Sequence, residues 1–171
     1  MFTVEALRED VSISSLSTST SEVGVGTIQV YTRQGHYEGH TASEEGWTLI
    51  YDQYMQQKGL DKLTRLGPFL DDQVVTIPAG ESASFYVYTT NKLSYQNSLT
   101  WSEGDAVADD GSLRLYAGIG LAYGKWEEGC GVASPQGDGE CKFGPRVFSG
   151  LLEYSSPSTT TSTSEFVIYP S

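Results

Sequence analysis

Hydrophobic and polar residues alternate with a period of two along most of the chain. In TIQVYTR (27–33), Ile28 and Val30 share one parity while Gln29, Tyr31 and Arg33 share the other. SFYVYT (84–89) sets Phe85 and Val87 against Tyr86 and Tyr88, and SLRLY (112–116) sets Leu113 and Leu115 against Arg114 and Tyr116. Side chains of a strand point alternately to its two faces, so each pattern predicts a strand with one aliphatic face. VSISSL (11–16), WTLIYD (47–52), VVTIP (74–78) and RVFSGLLEY (146–154) are further predicted strands, separated by turn signals such as GPFLDDQ, PAGES and GDGE. The one helix-like stretch, residues 51–66, is interrupted by Gly59 and has no clean 3.6-residue stripe, so it reads as strand, turn, strand. Seven or eight short strands at this spacing predict an all-β fold: a single-domain antiparallel β-sandwich, jelly-roll-like.

The pattern fails at SSPSTTTSTS (155–164), whose small hydroxylated residues cannot bury a core and read as a linker or glycosylated stalk. The folded unit is therefore expected over residues 1–154. The tail 165–171 (EFVIYPS) regains apolar residues, and is either a strand that docks back or the start of a neighbouring module of a longer chain. No run of 18 apolar residues exists to insert directly into a membrane, and MFTVEALRED lacks the features of a signal peptide. An extracellular address would be encoded outside this segment.

Charge narrows the partners. With 22 acidic against 10 basic side chains the net charge is −12, which repels nucleic acid and anionic membranes. The acids cluster in short pairs that suit a solubilising surface. Cation binding is the alternative, with calcium as the candidate ion: Asp105, Asp109 and Asp110 in EGDAVADDGS, and Asp138 and Glu140 further on, are hard oxygen ligands in turns, although their spacing departs from the EF-hand pattern.

Cys130 and Cys141 bracket the turning segment CGVASPQGDGEC between aromatic-rich strands, which predicts a structural disulfide worth about 2–3 kcal/mol and an oxidising compartment. His36 and His40, the only histidines, lie in GHYEGH, where Gly35 and Gly39 argue against a helix and no HExxH is present. That segment reads as a solvent-exposed turn. No G-x-S-x-G elbow occurs, and catalysis would be left to a pair of loop carboxylates.

The aromatic residues point to binding. Trp47 alternates with Leu49 and Tyr51 and is expected in the core, whereas Trp101 and Trp126 lie in polar, glycine-rich segments and are expected to be exposed. Should the central strands share a sheet, Tyr31, Tyr86, Tyr88, Tyr116, Arg33 and Arg114 form a Tyr/Arg face of the composition favoured at interfaces.

GWTLIY (46–51), VTIPAGESASFYVYT (75–89), SLRLYAGIG (112–120) and FGPRVFSGLLEY (143–154), in this order, resemble a β-sandwich module that recurs in large surface or secreted proteins of diatoms and in some bacterial exported proteins. The resemblance covers residues 1–154. It implies an extracellular or cell-surface location and no particular activity; it also implies that Arg146 of the GPRVF segment anchors the final strand and that the Cys130–Cys141 loop is an insertion. Taken together, the expectation is a non-catalytic binding or adhesion module that contacts glycans or proteins, calcium assisting. A carbohydrate-active enzyme using paired carboxylates and a purely structural spacer are the alternatives.

Overall fold

The computed structural model describes residues 1–60, 62–97, 100–122, 124–127, 141–157 and 164–168. In chain order the strands are β1 (Phe2–Ala6), β2 (Val11–Thr18), β3 (Val23–Gln34), β4 (Thr48–Lys58), β5 (Thr64–Leu66), β6 (Val75–Ile77), β7 (Ser82–Thr89), β8 (Tyr95–Asn97), β9 (Ala106–Asp109), β10 (Leu113–Tyr116), β11 (Gly118–Leu121), β12 (Lys142–Phe148), β13 (Gly150–Ser155) and β14 (Ser164–Ile168). They form an antiparallel β-sandwich. One layer is the six-stranded sheet β4-β3-β7-β1-β10-β9; the other is β14-β13-β2-β5, with β6 also pairing to β2. A smaller sheet, β11-β12-β8, stands beside them. Among the described residues no helix is long and apolar enough to cross a membrane.

The aliphatic faces read from the sequence meet in the middle. Val4, Ile28, Val30, Phe85, Leu113 and Leu115 of the first layer pack with Val11, Ile13, Leu16, Ile77 and Leu152 of the second. Register makes the stripes coincide, with Val30 opposite Val87 and Val4 opposite Leu115. Each such side chain contributes about 1.5–3 kcal/mol by leaving water. Phe2 ties the smaller sheet to this core, stacking on Phe148 at 4.3 Å and on Phe85 at 5.5 Å between ring centroids.

The structure departs from the sequence reading at three places. Residues 146–154 are not one strand: the chain leaves the small sheet at Ser149 and enters the second layer at Gly150. A Cβ at Gly150 would lie 2.1 Å from the Ser17 carbonyl oxygen, so only glycine lets the backbone switch sheets so close to β2. In β4 the alternation Trp47, Leu49, Tyr51 is broken by a bulge: Val30 faces Tyr51 while Tyr31 faces Leu49, leaving Ile50 as the extra residue. Tyr51 and Ile50 therefore join the central core, whereas Trp47 and Leu49 turn to the opposite face. The 51–66 region is strand, turn, strand as expected, with the turn at Gly59 (φ +90°). Beyond the expected boundary at 154, β14 pairs with β13 from Ser164↔Tyr154 to Gly150↔Ile168, so the sandwich includes the docked strand.

Candidate functional site

The Tyr/Arg face exists, because β3, β7, β1 and β10 are neighbours in one sheet and place their non-aliphatic residues on its outer side. It is, however, divided into a roofed half and a half-exposed one. Tyr31 and Tyr86, expected at the surface, are 1% and 4% exposed. The covering comes from two segments. The loop between β3 and β4 brings in Tyr37, buried at 1%, and Trp47, and residues 124–127 bring in Lys125 and Trp126. The Trp126 ring lies 4.6 Å from Tyr86, 5.4 Å from Tyr31 and 6.0 Å from Trp47 between centroids.

Polar contacts lock this roof. The Glu127 amide donates to the Thr41 carbonyl at 3.1 Å, joining the two covering segments. The Tyr86 hydroxyl donates to the Lys125 carbonyl, and the Lys125 ammonium sits 4.6 Å from the Tyr31 ring centroid while bonding its hydroxyl. Tyr37 donates to Glu103 Oε1 at 2.9 Å, and burial together with that carboxylate drives the Tyr37 hydroxyl far above its ordinary pKa. Burial likewise raises Tyr86. The GHYEGH segment is the exposed turn expected at His36, Glu38, Gly39 and His40, with Tyr37 alone buried and anchoring it. His36 faces Glu38 at 3.6 Å, and His40 supplies its carbonyl to the Trp47 indole at 2.8 Å. Arg33 donates to the His36 carbonyl and lies 5.9 Å from the Trp47 ring centroid.

The other half is an ion-pair lattice. Arg114 Nη2 meets Asp109 Oδ2 at 3.0 Å and Arg114 Nη1 meets Glu5 at 3.6 Å, and the Tyr116 hydroxyl also donates to Glu5. The Gly111 amide and then Arg114 hold Asp109 below the usual carboxylate range. The neighbouring acids are equally engaged. Asp110 accepts from the amides of Ser112 and Leu113 and from the Tyr154 hydroxyl, and Asp105 accepts from the Ser102 amide. Among the described residues no group of three or more His, Cys, Asp or Glu side chains is placed to hold a metal. Asp138, Glu140 and Cys130 lie outside the described residues. Cys141 is buried and carries no free thiol.

A cleft elsewhere combines aromatic walls with buried polar atoms. Between the end of β7, the 90–94 turn and the small sheet lies a cleft of about 910 Å³. Tyr88, Tyr95 and Phe143 supply aromatic walls, and Met1, Phe2 and Phe148 line it where it meets the core. Of its lining side chains, Asn91 Nδ2, Ser94 Oγ and Arg146 Nε are buried and have no hydrogen-bond partner among the described residues. The Arg146 guanidinium stacks 4.8 Å from the Tyr95 ring centroid and reaches the Pro145 carbonyl at 3.0 Å. Of the residues expected to bind, Tyr88 and Tyr86 line this cleft. Trp101 instead packs partly on the central core and borders a second, open concavity with Glu103, Glu127, Lys142 and Pro145.

Sequence reading missed this cleft because its walls come from three separated segments with no shared periodicity. The usable signals are the polar turn TTNKLS (89–94) and the Arg146 of GPRVF, for which the resemblance implies a strand-anchoring role. Comparison with protein-family models, with curated proteins and with solved structures finds no match to this chain.

Proposed function

We propose that this chain is a non-catalytic, extracellular glycan-binding module whose saccharide occupies the cleft between β7 and the small β11-β12-β8 sheet. The carrying observation is the pairing there of aromatic walls with buried polar atoms that have no protein partner. Such an atom costs about 1–3 kcal/mol unless solvent or ligand satisfies it. Sugar rings offer both halves of the complement: C–H faces for aromatic stacking and hydroxyls for the amide, hydroxyl and guanidinium groups. The extracellular setting is supported by the likeness to a surface-protein module and by the proposed Cys130–Cys141 disulfide, which would rigidify the loop leading into β12.

Tyr95, exposed at 44%, tests the reading directly because its removal leaves the core intact. Tyr95→Ala is expected to weaken the best glycan found by array screening at least ten-fold in isothermal titration, with little change in melting temperature. Unchanged affinity would remove the cleft as the site. Release of new reducing ends from bound polysaccharide, lost in Glu103→Gln, would instead move the chain to the hydrolase class.

Calcium enters the reading as an auxiliary held through Asp138 and Glu140, since Asp109 and Asp110 are already committed to protein donors. Metal-stripped protein is then expected to melt several degrees higher in millimolar calcium than in magnesium, as a ligand of the folded state requires. Equal melts would take calcium out of the function and leave the cleft unaffected.

A further inference from the structure

We propose that the cleft selects saccharides bearing carboxylate or sulfate groups, with Arg146 and Lys92 as the residues that read the charge; this rests on the glycan-binding reading above. The chain as a whole has more than two acidic side chains for every basic one. The cleft reverses that balance: both its charged lining side chains, Lys92 and Arg146, are cationic, and among the described residues that line it there is no Asp or Glu.

Arg146 is a cation without an ion pair. Arg65 is paired with Glu153 at 2.6 Å and Arg114 with Asp109 at 3.0 Å, whereas Arg146, like Arg8 and Arg33, has no carboxylate ion pair among the described residues. Its Nε is buried without an acceptor, as is that of Arg33, but of the two it is Arg146 that lines the cleft, with its Cζ 4.8 Å from the Tyr95 ring centroid. A protein of net charge −12 could easily have neutralised this group from a neighbouring turn. Left unpaired, stacked and partly desolvated, a guanidinium is set up to take a planar carboxylate or a sulfate through two parallel N–H donors. Lys92, exposed at the rim, adds a mobile second charge.

The acidic exterior works with this arrangement. A net charge of −12 disfavours polyanions on the surface at large, so an anionic chain is favoured at a lining whose charged side chains are cationic. Binding of this kind weakens with salt, because the partly exposed charges are screened over about 10 Å at 0.1 M ionic strength.

The full 171-residue chain is titrated calorimetrically with matched pairs: oligogalacturonate and its fully methyl-esterified form, and sulfated and desulfated galactan oligosaccharides. The expected result is at least a ten-fold preference for one anionic member, carboxylate or sulfate, that shrinks between 50 and 300 mM NaCl. Arg146→Gln removes most of that preference, Lys92→Gln part of it, and Arg8→Gln, beyond the end of β1 remote from the cleft-lining Phe2, none. Should Arg146→Gln fail to fold by circular dichroism, Lys92→Gln against Arg8→Gln decides alone. Equal affinity for charged and neutral members overturns the charge selectivity and leaves the glycan reading standing. Absence of binding to all four, at millimolar oligosaccharide, overturns both.

Discussion

Gly118→Ala is expected to destabilise the fold by more than about 3 kcal/mol, because an added methyl meets backbone closer there than at the other described glycines. A Cβ at position 118 would fall 1.9 Å from the Met1 carbonyl oxygen and 2.9 Å from the Phe2 Cα. Both obstacles are backbone, so no side chain can swing aside. Relief requires β11 to move away from β1, which breaks the 3.0 Å hydrogen bond from the Ile119 amide to Met1 and pulls the small sheet off the Phe2 ring. Gly120→Ala is the internal control. Its nearest neighbour would be the Arg146 Cγ at 3.5 Å, an ordinary contact, and it should cost less than about 1 kcal/mol. Urea unfolding of the two variants checks the contrast through their midpoints, provided the slopes agree. Similar midpoints would mean that β1 and β11 are not held as closely as described.

Tyr86 carries the second large effect. Tyr86→Ala removes a 4%-exposed ring from contact with Trp126, Trp47 and Tyr31, and is expected to cost about 3–5 kcal/mol. Tyr86→Phe keeps the ring and loses only the hydroxyl donated to the Lys125 carbonyl, for about 1 kcal/mol. The two should separate spectroscopically as well. Tryptophan emission should shift to the red in the alanine variant, as Trp126 and Trp47 gain water, and stay in place in the phenylalanine variant. Because Tyr86 also lines the cleft, the alanine variant should lose glycan binding while the phenylalanine variant retains it. Equal stabilities would show that the 124–127 segment does not pack on this face.

Period-two alternation was sufficient for the architecture because the central strands are each buried on an aliphatic face; Ile28 with Val30, Phe85 with Val87 and Leu113 with Leu115 all reach the core. The same parity rule correctly grouped Tyr31, Tyr86, Tyr88 and Tyr116 on one outer face. What covers that face was not legible. Tyr37 and Trp126 arrive from segments with no periodic pattern, and their positions depend on tertiary bonds such as Glu127 to Thr41. Trp47 is buried as its alternation with Leu49 suggests, but in the outer-face cluster and not with Tyr51, because a one-residue bulge inverts parity without any signature in WTLIYD. Strands β8 and β11 are short and weakly patterned, so the small sheet, and with it the cleft, had no hydrophobic stripe to announce it. The stretch read as one acidic turn contains strand β9, which ends at Asp109, and hydrogen bonds from backbone amides, invisible in a sequence, are what occupy Asp109 and Asp110.

The position of β1 has a kinetic meaning. It lies between β7 and β10, pairing Phe2 with Phe85 and Thr3 with Tyr116. Its partners are therefore synthesised roughly eighty and over one hundred residues after it. During translation the first strand must wait, unpaired, while the β3–β4 hairpin closes locally. Chains dominated by such distant pairings fold in milliseconds to seconds, not microseconds. The six-stranded layer is thus completed late and from its β3–β4 edge inward, and β1, though made before its partners, is among the last of these strands to be protected.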